Sequence, residues 1–98
     1  MITVNLHRRA EKGLRGLSSI ERKKALSAIS LISKSNWNEI INDRNLQLMR
    51  GNEDKKLYTY RSSPKIRIIL SYLGGNTVQI EDIVSHDSLQ RYFNWGDE

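Results

Sequence analysis

Two apolar alternating stretches on either side of Gly74-Gly75-Asn76 constrain this chain more than any other feature. Residues 65–73 set Ile66, Ile68, Leu70 and Tyr72 on one face and Arg67, Ile69 and Ser71 on the other, the period-two pattern of a strand. The glycine pair and Asn76 supply the positive φ angles of a tight turn, and residues 77–84 return as a second strand.

The layer that covers such a hairpin is encoded upstream. Ile2, Val4 and Leu6 alternate with Thr3 and Asn5, which reads as a short first strand. Residues 7–17 form a basic helical segment, weakened by Gly13 and stopped at Gly16. Ser18-x-x-Glu21 reads as a capping box, opening a helix that runs to about residue 34. Ile20, Leu26, Ile29 and Ile32, with Ala25 and Ala28, make its apolar stripe, and Arg22, Lys23 and Ser27 its outer face. Two helices joined by so short a turn are expected to pack as an antiparallel hairpin. Residues 36–41 add a helical turn capped by Ser35 or Asn36, residues 46–48 and 57–61 read as strands, and residues 88–95 as a terminal helix or helical turn. The expected fold is α+β. An N-terminal strand and a helical hairpin pack on one face of a four- or five-stranded, mainly antiparallel sheet with a short C-terminal helix, leaving the other face free to bind.

Ninety-eight residues fit one domain, spanning 1–98. With no cysteine there is neither a disulfide framework nor a thiolate metal site. The first residues lack the apolar stretch of a signal peptide, and the longest uninterrupted apolar run is Ile68-Ile69-Leu70, so a cytoplasmic protein with no membrane association is expected. The net charge of +5 is unevenly placed. Arg8, Arg9, Lys12, Arg15, Arg22, Lys23 and Lys24 face only Glu11 and Glu21 in the first helices, and Arg50, Lys55, Lys56, Arg61, Lys65 and Arg67 face only Glu53 and Asp54 around the central strands. Such clustering fits a polyanionic partner bound in a salt-dependent manner, or simply a soluble basic surface.

The order of elements, together with several local motifs, resembles the RelE/ParE toxin superfamily from about Leu6 to Phe93. Leu48-Met49-Arg50-Gly51 is similar to that family's segment before the central strands. Tyr58 to Leu70 is similar to its strand–turn–strand, and Ile83-Val84-Ser85-His86-Asp87 with Tyr92 to its closing signature. The resemblance implies a toxin of a type II toxin–antitoxin pair. On the RelE-like branch this is an mRNA endoribonuclease that works on the ribosome without metal or other cofactor. The 2′-hydroxyl of the RNA attacks the adjacent phosphate, leaving 2′,3′-cyclic phosphate and 5′-hydroxyl ends. The partners implied are mRNA, the ribosome and a cognate, acidic antitoxin that wraps the toxin. The alternatives are a ParE-like DNA gyrase inhibitor and a catalytically inactive binding module.

This chemistry requires a base, an acid and positive charge on the phosphorane. Arg67 matches the family's second-strand arginine, and its planar, permanently charged fork suits phosphate; otherwise it is a solvated strand arginine. His86 matches the closing signature and titrates near neutrality, which suits a proton donor to the 5′-oxygen; otherwise it holds a strand-to-helix corner. Tyr92 is a third catalytic candidate, or a base-stacking or core residue. Arg50, Lys55, Lys56, Arg61 and Lys65 are candidates for gripping backbone phosphate. The strand lysines of the best-studied RelE pattern fall here on Leu57 and Thr59, a departure that leaves the general base open. Arg8, Arg9, Lys12, Arg15, Lys23 and Lys24 form a basic helical face for ribosomal RNA or an acidic antitoxin segment, or for solubility alone. Two histidines do not make a zinc site, and Glu81 and Asp82, expected on opposite faces of a strand, give poor support to Mg²⁺.

Overall fold

The computed structural model describes residues 1–49 and 56–89. The chain runs β1 (Thr3–Leu6), α1 (Arg8–Arg15), α2 (Ser19–Lys34), α3 (Trp37–Ile41), β2 (Leu46–Leu48), β3 (Leu57–Arg61), β4 (Ile66–Gly74) and β5 (Thr77–Ser85), and residues 86–89 are helical. The sheet order is β1-β5-β4-β3-β2. The helices carry the chain from one sheet edge to the other, and the meander β2–β5 then returns β5 beside β1, parallel to it. The remaining pairs are antiparallel. The fold is α+β with a mainly antiparallel five-stranded sheet, as the element order predicts. Gly74 (φ 104°) and Gly75 (φ 57°) make the turn between the two long strands, a backbone that side chains with a Cβ disfavour.

One face of the sheet carries the main core. Ala28, Ile32, Ile40 and Ala10 from the helices meet Ile68, Leu70, Val78 and Ile80 from the strands, with Tyr58 and Tyr60 beside them. Burying each large aliphatic side chain here contributes roughly 1.5–3 kcal/mol. Trp37 of α3 stacks on Tyr72 at 4.3 Å and meets Tyr58 edge-on at 5.3 Å. Gly13 is explained by packing rather than by helix termination. A Cβ at this position would lie 2.6 Å from the Ile83 carbonyl oxygen, so α1 can rest on β5 only with glycine there.

The helix ends depart from expectation in instructive ways. Ser18 accepts from the Glu21 amide at 3.2 Å, half of a capping box, but the Glu21 carboxylate accepts from Ser63 Oγ instead. The reciprocal box forms at α3, between Asn36 and Glu39. Arg22, expected on an outer face, donates to the carbonyls of Leu14, Arg15 and Leu17 at 3.0–3.2 Å and so caps the C-terminal end of α1. The apolar stripe of α2 is narrower than predicted. Ala25, Ala28 and Ile32 are buried, whereas Ile20 and Leu26 are 67% and 48% exposed. The helix is seated on the sheet through its small residues, which leaves the larger ones on its flanks.

The opposite sheet face is only partly open, a correction to the free face expected. Met49, Leu57, Ile69 and Leu89 form a second buried cluster there, with Val84 against it. In β5 the expected alternation also breaks: Leu70 pairs with Ile80 and Ile69 with Asp82, so Glu81 is the extra residue of a bulge. Its carboxylate is buried, accepting from Ser71 Oγ at 2.6 Å and Gln79 Nε2 at 3.2 Å, with Arg9 Nη2 3.7 Å away. Among the described residues no helix is long and apolar enough to cross a membrane.

Candidate nucleic-acid interface

The β3–β4 register sets Arg61 directly opposite Arg67 on the far face of the sheet, and the β2–β3 register sets Gln47 opposite Thr59 in the adjoining row. The turn before β2 is tied to this end of β3. Asp43 Oδ1 accepts from the Asn45 amide at 2.9 Å, and the Asn45 carbonyl accepts from the Arg61 amide at 3.0 Å. These contacts bring Arg44, Asn45, Gln47, Thr59, Arg61 and Arg67 around one cleft of about 410 Å³. Among the described residues three guanidinium groups line it and no carboxylate does.

Like charges directly opposite on neighbouring strands are destabilising unless an anion lies between or beside them. Partial burial, and then Arg61, pull the Arg67 guanidinium below its ordinary value. An arginine so perturbed still carries its proton at neutral pH. Arg67 Nη1 donates to the carbonyls of Ser63 (2.9 Å) and Pro64 (3.3 Å), which holds the fork in place and leaves Nε and Nη2 for a ligand.

The turn that Arg67 grips also carries the histidine. The His86 amide donates to the Lys65 carbonyl at 2.7 Å, and Lys65 and His86 line one hollow of about 400 Å³ with Pro64, Ser85 and Asp87. Ser63 Oγ organises the turn, donating to Glu21 Oε1 at 2.8 Å and accepting from the amides of Lys65 (3.3 Å) and Ile66 (3.2 Å). Arg67 and the exposed His86 are thus anchored to one turn but line different hollows.

The remaining candidates divide. Arg61 lies in the arginine cleft, whereas Lys56 lies five residues away at the other end of β3, about 16 Å along the strand. Arg8, Lys12 and Arg15 share the outer face of α1, which packs on β5 away from the cleft, and Arg9 faces Glu81. Lys23 and Lys24 line a separate groove beside α2. Arg50, Lys55 and Tyr92 lie outside the described residues. Thr59 stands where the resemblance would put a strand lysine, whereas no motif singles out Arg44, Asn45 and Gln47. Their one sequence signal is that residues 43–45 precede a strand that must pair with β3. Leu57, at a position where the resemblance would put a lysine, is buried in the second cluster.

No protein-family model matches the chain, and no curated protein does. Solved structures do. The RelB–RelE antitoxin–toxin complex of Methanococcus jannaschii is similar at a TM-score of 0.69 and 19% identity, over 91% of this chain and 98% of that one. The RelE–RelB complex of Pyrococcus horikoshii gives 0.63 and 17%, over 86% and 93%. The RelBE2 toxin–antitoxin complex of Mycobacterium tuberculosis gives 0.58 and 17%, over 87% and 98%.

Proposed function

Because the chain has the RelE toxin fold, we propose that the protein is the toxin of a type II toxin–antitoxin pair, a metal-independent endoribonuclease that cuts mRNA on the ribosome in the cytoplasm. The observation that carries this reading is the cleft in which Arg44, Arg61 and Arg67 meet, with no carboxylate among the described residues that line it. Arg61 and Arg67 on paired strands, with Arg44 on the turn before β2, suit a phosphodiester whose charge grows in the transition state, and preorganised charge is often the largest catalytic contribution.

In the proposed reaction the RNA 2′-oxygen bonds to the adjacent phosphorus while the bond from phosphorus to the 5′-oxygen breaks. The 2′-proton passes to a base and the departing 5′-oxygen takes a proton from an acid, giving a 2′,3′-cyclic phosphate and a 5′-hydroxyl. Arg67 and Arg61 stabilise the phosphorane. His86 serves as proton donor, with Lys65 holding backbone phosphate in the same hollow. Arg44 joins the phosphate-binding set. Arg50, Lys55, Lys56 and Tyr92 enter on the strength of the resemblance. The partner is an acidic antitoxin, which draws support from the three neighbours being toxin–antitoxin complexes.

Induced expression in bacteria tests this reading, with wild type beside Arg67→Ala and His86→Ala. Growth arrest with new 5′-hydroxyl ends inside translated frames is expected for wild type, with both lost in the variants. Loss of Arg67 should lower cleavage by about 10²-fold or more, the scale of removing one preorganised charge contact. Arrest with intact mRNA and a DNA-damage response would point to gyrase inhibition instead, and no arrest to a binding module.

A further inference from the structure

The lining of the arginine cleft changes character along β3. At one level Arg61 faces Arg67 across the β3–β4 ladder. Two residues back, about 7 Å along the strand, Thr59 faces Gln47 across the β2–β3 ladder. That offset matches the reach from the phosphate of a nucleotide to the edge of its base. Thr59 is 4% exposed and lies at the floor of this second level, whereas Gln47 stands exposed on the edge strand β2. Among the described residues the Gln47 side chain makes no hydrogen bond. Asn45, the other amide of the lining, is already engaged. Its carbonyl accepts from the Arg61 amide at 3.0 Å and its side chain meets the Tyr60 phenol. The guanidinium groups of the cleft can only donate, so Gln47 is the free side-chain amide that offers an acceptor and a donor side by side.

We infer that Gln47 reads the base beside the phosphate held by Arg61 and Arg67, and that the base it selects is adenine. This rests on the RNA reading above and adds to it the nucleotide that the cleft prefers. Adenine carries the N6 amino donor next to the N7 acceptor, and the two halves of a glutamine amide match them with a pair of hydrogen bonds. Guanine presents two acceptors on that edge, O6 and N7, and sets an oxygen against the Gln47 carbonyl. Uracil presents only the O4 acceptor there, and cytosine only the N4 donor, so each leaves half of the amide unpaired. A single strand exposes this edge, because its bases are free to leave the stack. The arginines fix the position of the strand without regard to sequence, and Gln47 supplies the discrimination.

The test uses the full chain and labelled RNA decamers made uncleavable by 2′-fluoro substitution, read by fluorescence anisotropy. Each decamer is uridine with every third nucleotide replaced by adenosine, 7-deazaadenosine, inosine or cytidine. Wild type should bind the adenosine decamer at least about fivefold more tightly than the other three, the lower end of what one two-bond base contact supplies. Gln47→Ala should bring adenosine down to the level of inosine. Gln47→Arg, whose fork donates twice and accepts nothing, should reverse the order in favour of inosine. Arg67→Ala should weaken all the decamers by the same factor, because it holds phosphate. An adenosine preference that survives Gln47→Ala would overturn the inference, as would a Gln47→Arg variant that still favours adenosine over inosine. Cytidine bound as tightly as adenosine would overturn the choice of adenine. Decamers that all bind wild type equally would overturn the inference and leave the RNA reading standing. If none binds wild type, the RNA reading fails and takes this inference with it.

Discussion

The Tyr60 phenol shows how one residue couples burial, charge and stability. It is buried among Ile68 and its neighbours and donates to Asp43 Oδ2 at 3.0 Å. Burial first, and then Asp43, raise its pKa above the ordinary 10.0, with a smaller opposing pull from Asn45. The neutral phenol is the form the fold favours. Its contribution is therefore complete below about pH 10 and is lost as pH rises through the raised folded-state value. Urea midpoints measured at pH 8 and near pH 11 should show wild type losing more stability on alkalinisation than Tyr60→Phe. At pH 8 the Phe variant should be about 1 kcal/mol less stable, the net worth of one hydrogen bond. Equal alkaline losses in the two proteins would contradict this account.

At the scale of elements, the turn across residues 62–65 does more than connect β3 to β4. Glu21 at the start of α2 grips it from the helix layer through Ser63, Arg67 grips it from the far face, and the His86 amide grips it from β5. Removing Ser63 Oγ removes one bond to Glu21, takes the acceptor from the Lys65 amide and leaves the buried Ile66 amide only the Ser63 carbonyl at 3.4 Å. Ser63→Ala should destabilise the fold by roughly 2 kcal/mol, read from denaturant unfolding. Because the same turn positions Lys65 and His86, the variant should also lose cleavage under conditions where it is fully folded. A folded Ser63→Ala protein with normal activity would show that the turn is only a connection.

Across the described residues, cations gather on the outer face of α1, in the groove beside α2, in the arginine cleft between β2, β3 and β4, and at Lys65 in the hollow beside His86. Among these, the cleft and the neighbouring Lys65–His86 hollow lie in the RNA path proposed here, so binding should follow that small cation set rather than the full net charge. With four phosphates neutralised by Arg44, Arg61, Arg67 and Lys65, log Kobs for a single-stranded RNA should fall with log salt at a slope of roughly −3, about 0.7 for each contact. Arg67→Ala should reduce the steepness by about 0.7, whereas Arg8→Ala should leave it unchanged. A titration from low to physiological salt measures both. A steep slope that falls equally with Arg8→Ala would spread the interface over α1.

What the sequence determined by itself were the features written in local periodicity and turn chemistry. The alternation of residues 65–73, the Gly74-Gly75 turn and the Ser18 cap each rest on contacts close along the chain, and each element stands where its pattern puts it. Arg67 was legible for the same reason: parity placed it on the face opposite Ile66 and Ile68. Tertiary structure alone decided which surfaces those elements cover. Whether Ile20 or Ala25 faces the sheet depends on how closely α2 approaches it. Gly13 is required by a carbonyl seventy residues away, and Glu21 is drawn from its own helix cap to Ser63. Arg44 joins Arg61 and Arg67 only because β2 pairs with β3 and β3 with β4, and the order of strands in a sheet is set by burial across the whole chain rather than by any single stretch of it.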